Sequence, residues 1–496
     1  MLTRRTSGIL LHPTSLPGRF GGGDFGADAY RFVDWLADAG QSYWQMLPLG
    51  EIGAGNSPYM CRSAFAGNAL LIDLEELAGH GWLTPEDLVP PPGLHPDRVD
   101  YAIMRPFRMN RLRHAYVSFF SLRNNKMKYL YDVFCKEEGD WLDDYALFMA
   151  IATRQDWKEW NDWPEELAHR DAQALRSVAE SSSYETGFWK FCQWCFARQW
   201  LKLKNYAHAR GVEIIGDVPI FVAHQSADVW AHPELFELDG EGRSTVVAGV
   251  PPDYFSQTGQ LWGNPLYRWR AHEETGYSWW IARMKHALKL VDMVRIDHFR
   301  GFAAYWEIPA GAPDATGGRW VAGPGENLFE ALHQAIPDMP IIAEDLGVIT
   351  PDVMELRDKF NLPGLRVLQF AFGEGEDNYF LPHHYIPNTV AYTGTHDNDT
   401  SLGWWNSASG HEKNFASHYL RSDGHAINRD MMRAISASAA NTVIFPMQDV
   451  LGLCGDHRMN YPGHADGNWE WRFSWDQLQP EQTRALAQMS AEHHRL

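Results

Sequence analysis

Cysteine is scarce in this chain. Only five of 496 residues are Cys (Cys61, Cys135, Cys192, Cys195, Cys454), an odd and scattered set. That excludes a disulfide framework and points to a reducing compartment. Cys192 and Cys195 form a CxxC, but they sit in "FWKFCQWCFARQWLKL", which reads as an amphipathic helix. No second CxxC or His pair stands at zinc spacing, so neither metal nor redox use is expected. Long apolar runs are missing too. No window approaches the length that spans a bilayer, and "MLTRRTSGILLHPTSLPG" follows its two arginines with too short an apolar stretch (8–11) for a signal peptide. No membrane partner and a cytoplasmic location are therefore expected. Basic clusters are absent: 43 Lys and Arg stand against 63 Asp and Glu, a net charge of −20. That argues against nucleic acid as a partner. The sequence shows no internal repeat, low-complexity tract or charged tail.

Aromatics are plentiful, with 22 Trp, 19 Tyr and 25 Phe. They can simply fill a core, but flat rings with a polar handle also suit ligands with apolar faces and hydroxyl rims, such as sugars.

Short apolar, β-branched runs recur at 8–16, 43–49, 213–222, 292–299, 340–347, 365–372, 389–399 and 441–452. Helical patterns at 27–40, 187–211, 278–291, 327–336 and 350–360 alternate with them. Eight strand–helix units predict an α/β fold, a (β/α)8 TIM barrel with large helical and loop insertions between strands. The rival, an open doubly wound sheet, would place a Gly-rich phosphate loop after its first strand, and "GRFGGGDFG" lacks that frame. One catalytic barrel over 1–496 is expected, with a mainly helical insertion at 50–185 and a lid or substrate loop at 223–277.

The segment "MVRIDHFRG" (293–301) places Arg295 and Asp297 on one face of an apolar strand, since side chains two apart point the same way. Catalytic groups of this fold lie at the C-terminal strand ends. Asp217, Asp297, Glu344 with Asp345, and His396 with Asp397 and Asp399 all fall there. Several carboxylates around one mouth suggest glycosidic chemistry, in which one carboxylate attacks and another acts as acid and base. Arg295 would hold Asp297 ionised as the nucleophile, and the apolar "IIA" before Glu344 would raise its pKa for proton donation. Asp345 and Asp399 serve equally well as caps or ion-pair partners.

"RIDHFRGF", "IIAEDLGVIT" and "YTGTHDNDTSLGW" resemble the catalytic segments of the 4-alpha-glucanotransferases (amylomaltases), relatives of the alpha-amylases. "GILLHPTSLPG", "SPYMCRSAFAGN", "GDVPIFVAHQSADVW", "GVPPDYFSQTGQLWGNPLY" and "RMNYPGHADGNWEWR" extend the likeness nearly end to end. The resemblance implies a nucleophile at Asp297, an acid/base at Glu344 and a transition-state-stabilising carboxylate at Asp397. It implies sugar contacts from Arg295, His298, His396, Asp217 and Asn398, and subsites formed by Tyr59, Asp253 and Trp262. Tyr101 fits the family's glucan-binding pattern, whereas Ala54 stands where members often carry a tyrosine. Tyr461 and His464 depart from the residues common there, so the rim that shapes long or cyclic products is expected to differ. A compact bacterial or plastid type follows. The implied partners are malto-oligosaccharides, amylose or starch, and glucose as acceptor.

Within 249–267, Tyr254, Phe255 and Trp262 offer stacking surfaces, Gln260 a polar contact, and Gly249, Gly259 and Gly263 hinges. No "DxDxDG" loop occurs, so no calcium or other cofactor is expected. The three acids leave a hydrolase open as an alternative, since water and a glucan hydroxyl attack the same intermediate. A glucan-binding barrel without catalysis would lack one of them.

Overall fold

The computed structural model describes residues 2–122, 126–252 and 256–496. Strand pairing begins where the β-branched runs begin. Among the described residues the strands are β1 (Thr6–Leu10), β2 (Tyr43–Gln45), β3 (Glu213–Pro219), β4 (Val246–Val250), β5 (Gln260–Pro265), β6 (Met293–Asp297), β7 (Ala304–Pro309), β8 (Arg319–Ala322), β9 (Ile341–Ala343), β10 (Gly364–Val367), β11 (Thr389–Tyr392) and β12 (Thr442–Pro446). Eight of these close a parallel barrel in the order β1-β12-β11-β10-β9-β6-β3-β2. Helices stand between successive barrel strands, as the alternation predicts. The pairing of β1 with β2 needs Gly8: a Cβ there would lie 2.6 Å from Tyr43 Cβ.

Each expected strand is present, but pairing stops before its apolar run does. The run at 8–16 pairs only to Leu10 and then turns through a 3-10 helix at Pro13–Ser15. The run at 441–452 becomes the helix Met447–Leu451 after Pro446. These residues remain buried around the barrel mouth, so the apolar pattern outlasts the hydrogen-bond ladder.

Between β2 and β3 the chain folds into helices that include Tyr101–Ser121, Met127–Glu137, Gly139–Arg154 and Ala172–Ser181. The long helix Ser183–Ala209 then returns to the barrel and carries Cys192 and Cys195 fully buried. All five cysteines are free thiols.

The span 223–277, expected as a loop, instead supplies β4 and β5 to a four-stranded antiparallel sheet ordered β5-β4-β7-β8. Gly249 and Gly263, expected as hinges, therefore lie inside paired strands. The β4–β5 and β7–β8 hairpins are local, but no local pattern could join them, because β6 and its helix separate the two hairpins in sequence. Among the described residues no helix is long and apolar enough to cross a membrane.

Candidate active site

The opposed charges of β6 meet an acid on its neighbour. Asp217 of β3 lies in register with Arg295 of β6. Arg295 Nη1 donates to Asp217 Oδ2 at 2.6 Å and lies 2.9 Å from Asp297 Oδ1. The guanidinium is buried and Asp217 fully so, while Asp297 is partly open to the mouth. Tyr59, from the segment after β2, donates its hydroxyl to Asp217 Oδ2 at 2.8 Å. Burial pushes the Asp217 carboxyl up to about 6, with Arg295 opposing and Asp297 adding to the rise.

On the other side, β9 pairs with β6 through Ile296 and Ala343, so Asp297 and Glu344 are the next residues of adjacent strands. His298 leaves β6 in a left-handed conformation (φ 56°). That costs strain in a non-glycine residue. It turns the His298 N–H onto Glu344 Oε2 at 2.7 Å, while Leu346 N–H donates to Oε1 at 2.9 Å. Burial nonetheless pushes the Glu344 carboxyl up to about 8; Arg295 and the two N–H donors pull it down and Asp297 raises it. A neutral carboxylic acid thus stands beside a carboxylate held on arginine, the split that acid/base and nucleophile roles require.

The β11 loop closes the third side. His396 stacks on Tyr59 (5.1 Å, 17°), and its Nε2 lies 3.3 Å from Asp397 Oδ1. Asn398 Oδ1 accepts from Thr395 N–H (2.8 Å) and Oγ1 (2.9 Å), so its carbonyl shapes the turn. Burial pushes the His298 ring down to about 3, assisted by the Arg300 charge. Trp262 meets that ring edge-on at 4.8 Å and donates to Gln260 Oε1 at 3.1 Å. Asp217 Oδ1 and His298 Nε2 are buried without a hydrogen-bond partner among the described residues. Buried polar atoms of this kind call for a partner, and sugar hydroxyls at the mouth would supply one.

The structure thus brings together Asp217, Asp297, Glu344, Asp397, Arg295, His298, His396 and Tyr59, with Gln260 and Trp262 beside them. Asp253, Tyr254 and Phe255 lie outside the described residues. Tyr101 does not join the group. It is buried, and its hydroxyl donates to the Trp469 carbonyl at 3.1 Å, which ties it to Trp469. Asp345 is taken up by Arg357 and by Leu365 N–H (2.6 Å), and Asp399 caps Thr400 N–H at 2.7 Å.

Three contributors were not foreseen. Asn460 Nδ2 donates to Asp397 Oδ1 at 2.6 Å, and Arg458 Nη2 to the Asp397 carbonyl at 2.8 Å. Trp469 packs against both Tyr59 and His396. All three lie in the "RMNYPGHADGNW" stretch, whose polar density was the available signal. Among the described residues no cluster of three or more His, Cys, Asp or Glu is arranged to hold a metal.

A barrel whose strand ends combine these carboxyls and rings defines a class: carbohydrate enzymes that work through paired carboxyl groups. The particular family follows from comparison. Residues 11–478 match the 4-alpha-glucanotransferase family. The chain is 50% identical over 500 residues to the 4-alpha-glucanotransferase of Thermus thermophilus, covering 99% of each. It is 49% identical to that of Synechocystis sp., covering 96% of this chain and 95% of the other. The amylomaltase from Streptococcus agalactiae in complex with acarbose superposes with a TM-score of 0.97 at 38% identity, over 99% of this chain and 100% of that one. The chain belongs to the 4-alpha-glucanotransferase family, and is a glucan-transferring enzyme.

Proposed function

We propose that the enzyme transfers α-1,4-glucan segments with retention, using Asp297 as nucleophile, Glu344 as acid/base and Asp397 as stabiliser of the transition state. Asp297 attacks the anomeric carbon while Glu344 gives its proton to the departing 4-oxygen, which leaves as a free chain end. The donor segment stays esterified to Asp297. A second glucan, or glucose, then enters. Glu344, now a carboxylate, takes the proton from its 4-hydroxyl as that oxygen displaces Asp297. The two steps mirror each other, so one residue serves both.

The observation that carries this reading is the adjacency of Asp297, held on Arg295, and the buried Glu344, whose carboxyl burial pushes up. Asp217, Arg295, Tyr59, His298 and His396 would hold the reacting sugar, with Asp397 oriented by Asn460 and Arg458. Gln260, Trp262 and Asn398 would flank the acceptor. The bound acarbose of the S. agalactiae amylomaltase supports malto-oligosaccharides and amylose or starch as substrates. The five free thiols support a cytoplasmic location.

Transfer must outrun water at roughly 55 M, which requires an acceptor held in attack geometry, where effective molarities reach about 10⁵–10⁸ M. Incubation with maltotriose should give a ladder of longer maltodextrins alongside glucose. Asp297→Ala, folded by circular dichroism, should leave only a trace of that activity; substantial residual transfer would overturn the assignment.

A further inference from the structure

Away from the reaction centre, the backbone is strained at a bulky, exposed tryptophan. The helix Gly139–Arg154 ends with Asp156 at φ 52° and Trp157 at φ 60°. Asp156 has an ordinary explanation. Trp157 N–H returns to the Ala152 carbonyl at 2.8 Å, the Schellman-type ending in which one left-handed residue closes a helix. Nothing in that ending requires a second left-handed residue, least of all a tryptophan. Yet Trp157 is 47% exposed, and its ring lies under the Arg62 guanidinium at 4.4 Å.

Arg62 is unusual in turn. Its guanidinium makes no hydrogen bond or ion pair with any described residue. Glu51, the acid that acts on it electrostatically, accepts from Ala69 N–H through Oε2 at 2.8 Å. The Arg62 backbone is fixed at both ends, its N–H to the Glu51 carbonyl and its carbonyl to Ala227 N–H, each at 2.8 Å. Three residues earlier, Tyr59 holds Asp217. The Cα atoms of Tyr59 and Arg62 are therefore within about 11 Å of each other.

We infer that Trp157 and Arg62 form an outlying subsite for the α-glucan chain, an inference that rests on the transferase reading above. The half-exposed indole supplies a stacking surface for a glucosyl ring, and the Arg62 guanidinium at the ring supplies N–H donors for sugar hydroxyls. Arg62 belongs to the segment that carries Tyr59, and Trp157 packs on it from the end of the helix Gly139–Arg154. A chain long enough to extend past Tyr59 touches them, and a short one does not.

The test is the ratio of kcat/KM for maltoheptaose to that for maltotriose in the full-length enzyme. Trp157→Ala and Arg62→Gln should each lower that ratio about three- to tenfold. Trp157→Gly removes the ring and the strain together, and should lower the ratio equally without lowering Tm. A ratio unchanged in Trp157→Gly would overturn the subsite, as would an equal fall for both substrates. If the wild type only hydrolyses maltotriose, the transferase reading fails. The ratio measured as hydrolysis still decides the subsite.

Discussion

Glu344 ends a three-residue strand of Ile341, Ile342 and Ala343, and its proton affinity comes chiefly from that burial. Its carboxyl titrates at about 8, against 4.5 for an ordinary glutamate, so the folded protein holds the proton more tightly than the unfolded chain. Stability from this group is therefore full below about 4.5 and declines as pH rises toward about 8. The acid form that the proposed mechanism uses for glycosyl transfer to Asp297 is present below about 8 and lost above it. We expect kcat/KM for maltotriose to fall through an alkaline limb near pH 8. That limb should vanish with α-maltosyl fluoride, whose leaving group needs no proton. A limb of equal position with the fluoride would assign it to another group. The grouping of Arg295, Asp297 and Glu344 was legible in the sequence because charges at period two on an apolar strand have few structural uses. Asn460 and Arg458 were not, since they reach Asp397 from a loop more than sixty positions away that has no periodic signal.

At the scale of elements, the helix Tyr101–Ser121 shows how packing can account for a residue that the resemblance gives to glucan binding. Tyr101 opens this helix, packs with Ile52, Leu70, Val99 and Met104, and spends its hydroxyl on the Trp469 carbonyl. Tyr101→Phe should cost about 0.5–1.5 kcal/mol, the usual worth of one hydrogen bond, read as a lower denaturation midpoint. The affinity for amylose should stay unchanged in a co-sedimentation assay; a loss would restore a direct glucan contact. The barrel strands were legible because β-branched runs and turn residues are local signals. Their ends were overrun because buried mouth residues such as Leu16 and Met447 look like strand residues. The β5-β4-β7-β8 sheet escaped notice because the β4–β7 pairing that joins its two hairpins is long-range and its glycine- and proline-rich sequence reads as loop.

Across the whole molecule, the barrel is sealed where β1 meets β12. Fully buried Arg495 performs this closure with carbonyls in place of an acid. It donates to the backbone of Thr6, Ser436, Ser438, Ala440 and Asn441, tying the last helix to the first strand. Burial pushes its guanidinium down to about 9, with Arg5 adding to the fall. Arg495→Ala orphans these carbonyls and should destabilise the fold by on the order of 3 kcal/mol. Differential scanning calorimetry should show a clear drop in Tm; an unchanged Tm would show that water replaces the clamp.

The division of labour between Asp297 and Glu344 is the core of this account, and a trapping experiment tests it most directly. Glu344→Ala removes the acid/base but leaves the nucleophile on Arg295. Given α-maltosyl fluoride, the variant should form the glycosyl-enzyme and then stall, because no base activates the incoming hydroxyl. Mass spectrometry of the digested protein should find one maltosyl unit on the peptide containing Asp297. An adduct on Asp217 or Asp397, or no adduct while fluoride is released at the wild-type rate, would contradict it.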